Sequence, residues 1–133
     1  MWSKLNKYSD IGLLLIRLML GTSFVIHGVG KFMGGTPVLT AVGSAIGNLG
    51  ITHGHYLFGI LAATSELCGG LLLLTGAFFR PACLLLLWIM VMAMTMHLSH
   101  GDGFNVYSHA LELGVIFIGL FFIGPGKLSV DKQ

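Results

Sequence analysis

Glu66, Glu112 and Arg17 each stand inside an otherwise apolar stretch of the chain. An ionisable side chain at the centre of a membrane helix costs about 2.5–3.5 kcal/mol on insertion scales, so each calls for a partner or a task. Histidines collect near the same ends of these stretches. His27 and Lys31 close the first, His97 and His100 close the third, and His109 precedes Glu112 in the fourth. Histidine donates to a carbonyl and shuttles protons, while a carboxyl held out of water exchanges its proton nearer neutral pH. Quinone chemistry requires both actions. Glu66, Glu112 and His97 are therefore the expected proton-handling, catalytic residues, and Arg17, His27 and Lys31 the expected substrate- or quinone-binding ones. Arg17 differs from Glu66 in depth by roughly 6 Å at 1.5 Å per residue, so an ion pair of Arg17 with Glu66 or Glu112 is expected inside the bundle.

The other chemistries are weaker. His97 with His100, and His109 with Glu112, have a three-residue spacing that places two ligands on one helical side, which makes these four the candidates for a metal. No Glu-x-x-His pair of the di-iron type is present. His27 and His97 would be the axial pair for a haem, but nothing specific selects them. Cys68 and Cys83 differ in depth by about 12 Å and form no Cys-x-x-Cys motif, so both read as packing residues rather than a disulfide.

Positioning these groups is the work of a membrane fold. Hydrophobic residues make up 55% of the 133 positions and charged residues 9%, a balance suited to lipid and not to a soluble surface. Apolar stretches over 11–32, 56–79, 81–100 and 105–124 each reach the roughly 20 residues that span hydrocarbon. One domain over 1–133 is expected, an all-α integral membrane protein built as a four-transmembrane-helix up-down bundle. The short links near Arg80 and at 101–103 make consecutive helices antiparallel neighbours. The first stretch is too long for a signal peptide and has no cleavage site after it, so it is expected to stay in the mature protein.

Lys4, Lys7, Arg80, Lys127 and Lys132 fall on one side of this topology, which places both termini in the cytoplasm. Trp2 and Tyr8 at that boundary, and Tyr56 and Tyr107 at the other, read as interfacial anchors. In the first outer loop Thr36 and Pro37 form a start signal and Gly50 a stop, with Val38, Leu39, Val42, Ile46 and Leu49 at helical spacing, so a short amphipathic helix is predicted there. Gly59, Ala62, Ala63, Glu66, Gly69 and Gly70 share one face of the second stretch. Small faces mark close helix contacts in membranes, so Glu66 is expected to point inward, beneath a polar cavity that opens outward among the histidines. The net charge of +2 gives no reason to expect nucleic acid as a partner.

Arg17, His27-Gly28 with Lys31, Glu66 followed by Gly69-Gly70 and a leucine run, Gly76, Arg80, and the closing Gly124-Pro125-Gly126 with Ser129 and Asp131 together resemble the DoxX family over most of the chain. His97 and Glu112-Leu113 also sit where members of that family place such residues. The resemblance implies a small bacterial inner-membrane protein of four helices. The family includes membrane subunits of thiosulfate:quinone oxidoreductase and proteins tied to redox stress, and its distant eukaryotic relatives look like assembly chaperones. Two readings therefore stand side by side. One is a redox subunit that binds quinone, takes electrons from a partner subunit or bound cofactor, and exchanges protons. The other is a non-catalytic scaffold, assembly factor or small-ligand carrier, with Gly-rich faces that would also serve a homo-oligomer. The segment 99–104 is short and Gly-rich, so thiosulfate would need a site elsewhere or on a partner.

Overall fold

In the computed structural model, which describes residues 2–131 and the side chains from residue 5 onward, the chain forms α1 (Ser9–Met33), α2 (Gly35–Gly43), α3 (His55–Thr75), α4 (Phe79–Ser99) and α5 (Phe104–Ile123). Short 3-10 stretches precede α1 at Trp2–Tyr8 and follow α2 at Ser44–Leu49. Lys132 and the side chains of Trp2 and Lys4, which entered the orientation and anchor expectations, lie outside the described residues. There is no strand among the described residues. Spans built on α1, α3, α4 and α5 are long and apolar enough to cross a membrane, and the chain is an all-α, multi-pass membrane bundle.

The helices pack in the order α1, α3, α4, α5, with α2 laid on α3. α1 and α5 make no close backbone approach. Midway along they are bridged by the rings of Phe24 and Phe117, whose centroids are 5.4 Å apart. The core behind this bridge is formed by Leu73, Phe79, Cys83, Leu86 and Leu120. Cys83 is thus a packing residue, but Cys68 is exposed on α3, where a small, weakly polar thiol is tolerated against lipid.

α3 ends at Thr75, four residues before the apolar stretch does. Gly76 adopts φ +68°, and its N–H donates to Leu72 O at 2.8 Å, a left-handed helix stop that a run of hydrophobicity does not reveal. α4 starts at Phe79, two residues before the predicted boundary, because Pro81 falls in the first turn, where no N–H is required. The cap for this turn comes from far along the chain. Asp131 Oδ1 and Oδ2 accept from Phe78 N and Phe79 N at 3.1 and 2.8 Å.

The predicted amphipathic segment exists, but only its first part is α-helical, and it packs on α3. It tightens to 3-10 geometry at Ser44 and stops at Gly50, with φ +84°. The contact is backbone on backbone: a Cβ on Gly43 would stand 1.7 Å from His55 O, and one on Gly59 1.8 Å from Leu39 O. A carbonyl cannot yield as a side-chain tip can. Gly43→Ala is therefore expected to lower stability in detergent by about 2 kcal/mol or more and to open α2 to proteolysis. Gly47→Ala, where a Cβ meets nothing within 4 Å, serves as the control that leaves both measurements unchanged.

Candidate functional site

The small-residue face of α3 lies inward, as its composition requires. Gly59, Ala63, Glu66, Gly69 and Gly70 are buried, and α1 approaches so closely that a Cβ on Gly28 would be 2.7 Å from Leu67 N and one on Gly70 2.8 Å from Gly21 O. These approaches set the register of α1 against α3. Lys31 comes level with Glu66, and Arg17 lies beside Leu73 and Leu74, about 10 Å further along α3 at 1.5 Å per residue.

Glu66, 5% exposed, pairs with Lys31 Nζ. The expected Arg17–carboxylate pair is not formed. Arg17, 1% exposed, donates instead to four carbonyls: Nε to Leu73 O at 3.0 Å, Nη2 to Leu74 O at 3.0 Å, and Nη1 to Pro125 O at 3.0 Å and Leu128 O at 2.8 Å. Leu73 and Leu74 belong to the last turn of α3, whose carbonyls have no partner within the helix and carry its negative dipole end. Arg17 therefore binds backbone, at the end of the bundle that holds the termini, and lies outside the cavity assigned to it from sequence.

A cleft of about 280 Å³ runs between α1 and α5, floored by α3 and α4. Its walls toward the bundle middle are Met19, Leu20, Phe24, Met90 and Leu113. The part nearer the end opposite the termini is lined by Ser23, His27, Lys31, Glu66, His97 and His109. Because α1 and α5 do not close on each other, the cleft has an opening along the flank of the bundle. A second cavity of about 170 Å³ lies on the other side of the Lys31–Glu66 pair, also touches His97, and extends to Val42 and Ala45 beside α2. The ion pair and His97 thus form a partition reached from two sides.

His27, Lys31, Glu66, His97 and His109 are accordingly brought together, but Glu112 and His100 are not. Glu112 is exposed on the outer face of α5, and His100 is exposed beyond the last turn of α4. The reason is angular. Ala110, Gly114 and Phe117 face the bundle, and Glu112 falls on the opposite side of a 3.6-residue turn. Among the described residues no three His, Cys, Asp or Glu side chains gather as a metal site, so the set His97, His100, His109 and Glu112 is not assembled. Two residues were missed from sequence, Ser23 on the cleft wall and Asp102 against His97. Ser23 lies one turn before His27, a spacing that signals a shared face. Asp102 Oδ2 lies 2.7 Å from His97 Nδ1, a contact prepared by the glycine just before it.

The site can hold an amphiphile. Its polar end offers an ammonium, a carboxylate and imidazoles for a head group, and its apolar, laterally open part offers a bed for a hydrocarbon tail.

Comparison with known proteins agrees with this membrane architecture. The DoxX family model matches residues 12–99. An uncharacterized protein of Haemophilus influenzae is 26% identical over 137 aligned positions, which cover 98% of this chain and 96% of that protein. No solved structure matches.

Proposed function

The chain belongs to the DoxX family, and from that premise we propose that it is a quinone-binding redox subunit, a single membrane domain of the bacterial inner membrane with both termini cytoplasmic. The observation that carries this reading is the cleft between α1 and α5, apolar and open along the bundle flank, with the Lys31–Glu66 pair and three histidines at its head. A quinone reaches its site from within the bilayer and needs a lateral entrance, a bed for its tail, and donors and proton acceptors at its ring. Lys31 and His27 bind the ring oxygens, and Glu66 with His97 exchanges protons. Electrons come from a partner subunit. Lys7, Arg80 and Lys127, which lie at the termini end, support the cytoplasmic assignment.

Purification in mild detergent, with quinone extraction and mass spectrometry, tests the reading. Bound quinone is expected in the wild-type protein and its loss in Glu66→Gln at unchanged fold. A protein that is empty as purified and takes up no short-chain quinone overturns it.

Glu112 favours a second reading. Its exposed carboxylate on α5 lies within an apolar span and is costly against lipid, which fits a scaffold that docks a cation-bearing helix of another membrane protein. Under that reading Glu112→Gln, and not Glu66→Gln, abolishes recovery of the partner.

A further inference from the structure

α4 ends in a Schellman motif. Gly101 at φ +76° donates its N–H to Leu98 O at 3.1 Å, and Asp102 N–H donates to His97 O at 3.0 Å, the two bonds that define this helix stop. The turn carries Asp102 back over the ring of His97, where Oδ2 lies 2.7 Å from Nδ1. An ionised carboxylate only accepts, so Nδ1 carries the proton, and in the neutral ring Nε2 is then a lone-pair acceptor. Nε2 is also the ring nitrogen left for the two cavities that His97 lines. His27 and His109 have no side-chain hydrogen bond among the described residues, so they can present either nitrogen to the cleft.

We propose that Asp102 is a positioning residue that holds His97 as a hydrogen-bond acceptor, so that the cleft selects the dihydroxy form of a quinone-type ring over the dicarbonyl form. The inference rests on the quinone reading of the cleft. A dicarbonyl ring offers acceptors only, and against Nε2 two lone pairs would meet with no proton between them. A hydroxyl donates its O–H to Nε2 and still accepts from Lys31. Glu66 strengthens the same bias, because its carboxylate is a second acceptor at the head of the cleft.

The test uses the full chain in detergent. In ¹⁵N-histidine-labelled, ligand-free protein, at a pH where the ring is neutral, His97 is expected in the Nδ1–H tautomer, to lose that preference in Asp102→Ala, and to regain it in Asp102→Asn, whose amide oxygen still accepts. Short-chain ubiquinol is expected to bind about tenfold more tightly than the corresponding ubiquinone, the ratio falling toward one in Asp102→Ala and returning in Asp102→Asn. An Nε2–H tautomer in the wild-type protein, or an unchanged ratio in Asp102→Ala, overturns the proposal. Equal binding of both forms by the wild type overturns the selectivity alone. Binding of neither form overturns the quinone reading with it, while the tautomer still reports whether Asp102 positions His97.

Discussion

Arg17→Ala is expected to destabilise the protein by about 3–5 kcal/mol in detergent, because the side chain ties the segment after α5 to the closely packed α1–α3 pair. Its guanidinium joins α1 to the last turn of α3, through Leu73 O and Leu74 O, and to the segment after α5, through Pro125 O and Leu128 O. Removal leaves the buried acceptors Leu73 O and Pro125 O without a donor, each at a cost of about 1–3 kcal/mol before relaxation, while the part-buried Leu74 O and Leu128 O lose less. The segment after α5 is held further by Val130 N–H to Thr75 O at 3.1 Å and Asp131 N–H to Gly76 O at 3.0 Å, and it delivers Asp131 to the start of α4. Loss of Arg17 therefore weakens the α4 cap as well. Arg17→Lys recovers little, since one ammonium cannot reach all four carbonyls in the directions a planar fork covers. Denaturation midpoints together with carboxypeptidase trimming of the C-terminal segment measure both effects. An Arg17→Ala protein as stable and as resistant as the wild type would show that the carbonyl cluster has no structural weight.

Lys31→Met and Glu66→Gln are each expected to lower stability by about 2–4 kcal/mol, and the double variant by clearly less than the sum. Either single change leaves one member of a mostly buried pair without its counter-charge, the costly half of breaking a buried ion pair, whereas removing both removes that penalty. Lys31 keeps some access to solvent, its side chain being 21% exposed against 6% for Glu66, so Glu66→Gln is the milder of the two. Ligand binding separates structure from function here. All three variants are expected to lose quinone affinity, including the double variant whose stability is largely restored. A double variant that binds quinone normally would remove this pair from the binding site, and additive losses would mean that the pair is uncoupled.

The inward face of α3 was readable because small residues recur at helical spacing around Glu66. Lys31 was readable as a candidate from its type and its place near a helix end. Its pairing with Glu66 was not, because depth counted from span ends assumes that antiparallel helices start level. Gly21, Gly28 and Gly70 instead let α1 and α3 interlock at one register, and α1 ends beside the middle of α3 while α2 continues along it. The same shift sends Arg17 to the α3 terminus. For Glu112 the stretch was identified correctly, but its facing depends on which side α5 turns toward α4.

By itself the sequence determined that the chain is helical and membrane-embedded, where its spans lie, and which polar side chains are too costly there to be idle. These follow from local quantities: hydrophobic run length, residue spacing and the cost of transferring charge into hydrocarbon. The tertiary structure alone decided which charge meets which. It assigned Arg17 to carbonyls, Lys31 to Glu66 and Asp102 to His97, left Glu112 on the outer face, and opened the cleft sideways between α1 and α5. Those outcomes depend on how closely backbones approach and at what register, and a difference of one helical turn, about 5.4 Å, exchanges one ion-pair partner for another.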